Sequence, residues 1–293
     1  MGSLKEIKTR ISSVKTTRQV TSAMKMVSAA KLKKAQDAIL QIRPYADKLH
    51  EILSSLGASL ENPEDSPYTQ QRQPEKVLLI LISSNRGLCG AFNSSIAKTA
   101  YELAITKYER QLKLGKLEFL VIGKQGEKYL KSRKMEIAGQ ANEIFDSLSF
   151  ENSSPLAENV MNDFVNGTYD RIELVYNQFK NAAMQICSAE QFLPVEISTE
   201  GNEQTSGNNF IYEPSKEKIV EELIPRSLKI QFFKALLDSN AAEHGARMTA
   251  MHKATDNASD LITELTLTFN KARQASITNQ ILEVTNGAEA LNG

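Results

Sequence analysis

Tryptophan is absent from the 293 residues, and the helix breakers are scarce, with 14 glycines and 8 prolines. Those two residues weaken helix interiors most, so their scarcity favours long uninterrupted helices. Only two cysteines occur, Cys89 and Cys187. That is too few for a disulfide framework and fits a reducing compartment, although one bridge between them is compatible with the sequence. No apolar run approaches the ~20 residues of a membrane span. The N-terminus lacks the apolar core of a secretory leader, and its periodic pattern continues past any transit-peptide cleavage point, so it reads as mature chain. An excess of one charge is lacking too, since 35 Lys and Arg balance 35 Asp and Glu. Locally the balance fails. Residues 1–43 carry ten basic side chains (Lys5, Lys8, Arg10, Lys15, Arg18, Lys25, Lys31, Lys33, Lys34 and Arg43) against Glu6 and Asp37. Such a stripe suits an anionic partner, which is nucleic acid, membrane or an acidic protein surface, unless it is a solvated helix face.

What is present falls into three sections. In residues 1–62, Leu4, Ile7, Ile11 and Val14 step by 3, 4 and 3, and Thr21 and Met24 continue the seam. Val20, Val27, Ala35, Ile39 and Ile42 add apolar positions on nearby faces. The spacing is that of a coiled-coil helix. Ser3 with Glu6 reads as a capping box. Pro44 predicts a kink or break, after which Leu49, Ile52, Leu53 and Leu56 resume the pattern. Residues 63–213 begin with a polar linker, 63–75. Val77–Ile82 then reads as a buried parallel strand, Leu117–Ile122 as a second, and Arg171–Tyr176 and Gln191–Ile197 as two more. Helical patterns cover 96–112, 123–134 and 155–165. The alternation predicts an α/β domain with a mostly parallel sheet. In residues 214–293 no proline follows Pro225, and ~65 residues of helix would reach ~100 Å. Ala254, Ala258, Leu261, Leu265, Thr268, Ala272 and Ala275 alternate steps of 4 and 3, and Leu282 follows seven residues on. This is a heptad seam, and its alanines permit close approach of a partner helix. The two terminal helices are matched, so an antiparallel coiled coil with an inserted α/β domain is expected. A coil longer than that domain, with apolar residues at its tip, calls for a partner around it.

Chemistry-bearing motifs are weak. The loop Ser84–Asn93, SNRGLCGAFN, follows a strand and precedes a helix, the place where open α/β sheets bind phosphates. It matches neither GxxxxGK[ST] nor GxGxxG, and Gly87 and Gly90 are spaced for turn geometry. Gly123-Lys124-Gln125-Gly126 is equally uninformative. His50, His244 and His252 have no neighbouring Cys or carboxylate at metal-ligand spacing and read as solvated helix positions. Cys89 sits where a nucleophile can, yet no histidine occurs in the α/β section to serve as its base. Met24, Met26, Met248 and Met251 on the long helices read as gap fillers, and methionine also suits a surface that slides against changing partners.

Three stretches carry a resemblance. Residues 7–36 (IKTRISSVKTTRQVTSAMKMVSAAKLKKAQ) closely resemble the N-terminal helix of γ subunits of F-type ATP synthases, with its T-x-A-M-x-M-V-A-A-x-K pattern. Residues 243–291 resemble that family's C-terminal helix, and SNRGLCGAFN resembles its SDRGLCGxFN-like turn. The resemblance runs the whole chain in order. It implies an α/β fold class: a long antiparallel coiled coil of N- and C-terminal helices with an inserted Rossmann-like α/β domain. It implies a central-stalk rotor subunit without catalytic site, cofactor or metal, coupling proton flow to ATP synthesis or hydrolysis on the β subunits. The implied partners are the α and β subunits around the coil, with the ε subunit and the c-ring at the foot, and no nucleic acid. The implied contacts to the α and β subunits are Met24, Lys25, Lys31, Lys33, Lys34, Arg273 and Gln274, the lysines facing an acidic loop of the β subunit. Phe210–Pro214 resembles the family's YEP segment, placing Tyr212 and Glu213 on the ring and ε side. The chloroplast-type redox segment with its paired cysteines is missing, so no thiol switch is expected. Its absence and that of a transit peptide favour a bacterial source and the cytoplasmic face of the inner membrane. The polar run 199–209 looks like a variable loop without assigned role. A nucleotide-dependent enzyme with a coiled-coil arm lacks its phosphate loop, and a nucleic-acid-binding coil leaves the alanine seam unexplained.

Overall fold

The computed structural model of the chain describes residues 4–57, 66–195 and 216–292. Two compact units emerge: 29–247, and a second made of both termini, 1–28 with 248–293. Helix α1 (Leu4–Gly57) and helix α6 (Lys216–Asn292) each contribute to both.

In the 29–247 unit, strands β1 (Val77–Ile82), β2 (Leu117–Ile122), β3 (Ile137–Gln140), β4 (Arg171–Asn181) and β5 (Met184–Leu193) form one sheet in the order β3-β2-β1-β4-β5. All pairs are parallel except the β4–β5 hairpin. Every β1 residue is buried, which is why it reads as an unbroken apolar run. Its side chains alternate between two cores. Leu78, Ile80 and Ile82 meet helix α5 (Phe150–Val165) and the Ile224–Leu236 stretch of α6. Val77, Leu79 and Leu81 meet helix α2 (Phe92–Thr106), Tyr108 and Leu130. Leu130 belongs to helix α4 (Lys124–Ser132), which follows the short helix α3 (Glu109–Lys113). Helices thus cover both faces of the sheet.

Three expectations are corrected. The strand expected at Gln191–Ile197 is the end of a longer one: β5 runs Met184–Leu193 and stops before Pro194, while 196–197 lie outside the described residues. Its polar stretch disguised it, because one side of an edge strand is half exposed. The helix expected over 96–112 is two helices, α2 and α3, separated at Lys107–Tyr108. Of the kink or break expected at Pro44, the break does not occur, since α1 runs through it. Its neighbours are held from outside the helix: Arg43 faces Asp238 of α6, and Arg226 stacks on the Tyr45 ring at 5.6 Å. Tertiary contacts here outweigh intrinsic propensity. The linker is pinned where described. Arg72 donates to Phe164 O at 3.2 Å, and the Glu75 and Lys76 amides donate to Asp170 Oδ2 at 3.0 and 2.9 Å.

In the terminal unit the two helices share a seam. Thr21 Oγ1 and Thr255 Oγ1 are hydrogen-bonded at 2.8 Å. Seven residues inward from that bond on each helix lie Ser28 and Met248, where the unit ends, so the helices run antiparallel. Seventeen residues outward, Leu4, the first helical residue of α1, comes opposite Ala272. Leu4, Ile7, Ile11, Val14, Thr21 and Met24 all lose solvent to the seam, while Val20 and Val27 stay exposed. On α6 the seam follows Met251, Ala254, Ala258, Leu261 and Leu265 and then passes to Phe269, Ala272 and Ser276. Thr268, Ala275 and Leu282 are exposed, contrary to expectation. A 3.6-residue helix drifts against a strict heptad by about 20° per repeat, so the buried line moves one residue on. Leu282 lies beyond the last residue α1 can cover.

Candidate functional site

The crevice at the carboxyl ends of β1 and β4, where strand order reverses, is the place an α/β sheet offers a ligand. Here the chain fills it. Ser84 N and Asn93 Oδ1 are bonded at 2.9 Å, and Ser84 Oγ donates to Arg86 O at 2.6 Å, closing the loop on itself. Leu88 and Gly90 take φ of 62° and 60°, the left-handed turn geometry for which Gly90 is suited. Phe92 is fully buried with Cys89 against Ala242 of α6, and Asn177 Nδ2 reaches Phe92 O at 3.4 Å. Arg247 of α6 caps the loop. Its Nη2 donates to the Arg86 and Gly87 carbonyls at 3.2 and 3.3 Å, and its Nη1 pairs with Glu243 at 2.7 Å. Burial pushes the Glu243 carboxyl up even so, with Arg247 opposing the shift. Burial likewise raises the Cys89 thiol, which is unsuitable for a nucleophile.

The remaining motifs also resolve into packing. Ser83 Oγ donates to Gly123 O at 3.0 Å and accepts from Gly126 N at 2.9 Å. A Cβ on Gly123, which sits at φ 111°, would collide with the Ser83 carbonyl, so the Gly-Lys-Gln-Gly run serves the close approach of β1 to the start of α4. His244 is half-buried rather than solvated. Burial and the Arg247 guanidinium, 3.4 Å away, drive its pKa down to about 4. His252 is exposed beside Asp256 at 3.3 Å, and the His50 side chain lies outside the described residues. Among the described residues no three His, Cys, Asp or Glu side chains gather as a metal site. An open cavity of about 490 Å³ lies past β3, lined by Gln140, Asn142, Glu143, Ser147 and Asn152 among others. Its amides are committed: Gln140 and Asn142 donate to Glu127, and Asn152 to Ser147.

The coil offers the other surface. Val20, Met26, Val27 and Leu267 are exposed along it, and beyond Ser276 every described side chain is exposed, including Ile277, Ile281, Leu282 and Val284. Lone exposed apolar residues are ordinary, whereas a helix end carrying four within eight positions is not. Met24 and Lys25 are half-buried at the edge of the seam, while Arg273 and Gln274 are exposed. The register places Met24 opposite His252, so Arg273 lies 21 residues, or about 30 Å, along α6 from it. Lys31, Lys33 and Lys34 are exposed on the part of α1 that belongs to the other unit. The structure therefore groups Met24 with Lys25, and Arg273 with Gln274, as separate patches. Tyr212 and Glu213 lie outside the described residues. Sequence reasoning missed the Arg247–Glu243 clamp. Its signal was the small-residue run Ala241, Ala242, Gly245 and Ala246 interleaved with a Glu–Arg pair at i,i+4, which marks a helix face pressed on backbone. Gly245 indeed leaves only 3.1 Å between an added Cβ and Ala182 O.

A sheet whose ligand crevice is filled from within, and helices that keep exposed apolar and basic side chains, are the features of a scaffold protein. The sequence profile of the ATP synthase family matches residues 3–291. The chain belongs to that family, among its gamma chains. The ATP synthase gamma chain of Flavobacterium johnsoniae is 56% identical over 294 residues, spanning 100% of both chains. That of Christiangramia forsetii is 54% identical, again over 100% of each. A chain of the Euglena gracilis mitochondrial ATP synthase superposes with a TM-score of 0.68 over 98% of this chain and 94% of that one, at 19% identity, a likeness of fold.

Proposed function

We propose that the chain is the central-stalk rotor subunit of an F-type ATP synthase, turning inside a ring of α and β subunits and coupling proton flow to ATP synthesis or hydrolysis on the β subunits. It contributes no catalytic group. A shaft moves an equilibrium at the β sites only by contacting their conformers unequally. The observation that carries this reading is the uncovered surface of the coil. Its seam is closed on one side only, and the last turns of α6 overhang α1 with apolar residues that need a surrounding partner.

On this reading the coil stands within the ring of α and β subunits. Met24, Lys25, Lys31, Lys33 and Lys34 face the β subunits' acidic loop, and Arg273 and Gln274 contact the same ring higher up, where guanidinium and amide donors suit carboxylates. Tyr212 and Glu213 belong to the foot, with the ε subunit and the c-ring. The section boundaries 1–62, 63–213 and 214–293 divide the chain into N-terminal helix, sheet domain and C-terminal helix; both junctions fall outside the described residues, and 29–57 and 216–247 belong to the sheet unit. Among the described residues no helix is long and apolar enough to cross a membrane, so attachment to the cytoplasmic face of a bacterial inner membrane runs through the complex.

The test is ATP hydrolysis by the purified chain alone and after mixing with cognate α and β subunits. Silence alone, with assembly, turnover and rotation of a bead fixed to the α/β domain in the mixture, is the expected result. Turnover by the chain itself would sink the reading.

A further inference from the structure

Asp238 lies on α6 within the 29–247 unit, its side chain 1% exposed. Neither carboxylate oxygen has a hydrogen-bond partner among the described residues, nor does the adjacent Ser239 Oγ. A buried carboxylate normally accepts several hydrogen bonds when ionised, because it has given up its water. The groups that face it come from four elements. Arg43 of α1 brings Nη2 to 3.8 Å from Oδ1, an ion-pair distance too long for a hydrogen bond. Lys234 attracts it from one turn earlier on α6, and Glu190 of β5 repels it. Tyr176 of β4 donates its hydroxyl to Glu190 at 2.7 Å and leaves Asp238 unsolvated.

We propose that Asp238 is a proton-operated tie between α1 and α6: ionised, it holds Arg43 across the contact between the two helices, and protonated, it releases that arginine and rests neutral in the interior. Burial, rather than the surrounding charge, brings its titration towards neutrality. Burial raises the carboxyl to about 6, against the weaker pull of Arg43 and Lys234. A folded-state value above the unfolded one means that stability is fully present below the unfolded pKa near 4 and is lost as pH rises through about 6. The tie therefore closes at the expense of fold stability. The Arg43 contact adjoins Pro44, so its release frees the one segment of α1 that proline already weakens.

Urea unfolding of the full chain, native and D238N, between pH 7.5 and 4.5 tests the proposal. The ratio of the two folding constants should change by about tenfold or more across that range, the variant gaining most at high pH. A ratio that does not vary with pH overturns the proposal. A second measurement stands if D238N folds poorly. In ¹³Cγ-aspartate NMR of the native chain, one resonance should titrate near pH 6, and R43Q should move its midpoint higher by removing the facing cation. An aspartate set that titrates wholly in the ordinary range, or a midpoint that ignores R43Q, overturns it equally.

Discussion

The two units solve burial differently. In the sheet unit, all six β1 residues are buried from both sides, α2 and α5 each bury one face, and even the loop that could take a ligand is packed by Phe92, Asn177 and Arg247. In the terminal unit few of the described side chains are buried: Thr21, Ser28, Met251 and Ala258 are, while most seam residues remain half exposed. Two helices side by side can cover only one stripe of each other, and alanine and threonine bury little area per residue. The sheet unit is stabilised by its own interior, and the coil is built to be finished by something else.

That contrast can be broken at its strong end. F232A removes a ring that is fully buried between the sheet and α6, packed 6.0 Å from the Phe192 ring. We expect a loss of about 3–5 kcal/mol in urea unfolding. R247M strips the cation from buried Glu243 and the donor from two loop carbonyls. Breaking a buried pair this way costs about 3 kcal/mol or more, and adding E243Q should recover most of it, a cycle that separates charge from packing.

Changes in the coil should register weakly in the isolated chain. Thr21 also approaches Arg18 O at 3.1 Å, and Thr255 donates to Met251 O at 2.8 Å. In T21V the remaining hydroxyl therefore keeps a partner on its own helix, and the loss should stay at about 1 kcal/mol or less. Smallest of all, I281S with V284S should shift chain stability by no more than about 0.5 kcal/mol. The same variant should nevertheless weaken assembly with α and β subunits, measured by co-elution. Undiminished assembly would remove the overhang from the working surface.

Much of this was legible beforehand because it is local. Val77–Ile82 and Leu117–Ile122 are apolar runs of strand length, and the 3–4 spacing from Leu4 to Val14 names its own helix. Short β3 escaped because Ile-Ala-Gly-Gln alternates only half-buried with exposed positions. The β4–β5 hairpin was half seen, since its edge strand mixes Gln, Ser and Glu with Ile and Phe. Of the candidate contacts, the sequence offers residue types suited to carboxylate partners, but two patches about 30 Å apart on the coil become evident only from the register.

The sequence by itself determined most of the elements, their periodicity and the family, because backbone preference and side-chain alternation are set by residues a few positions apart. Tertiary structure alone decided the register of the coil, the one-residue drift of its seam to Phe269, the clamp of Arg247 on the Arg86–Gly87 loop and the isolation of Asp238 facing Arg43. Each depends on groups from 160 to 234 residues apart meeting within a few ångströms, or on how far a partner helix reaches. No local pattern encodes such a meeting, since its free energy exists only once both helices have packed.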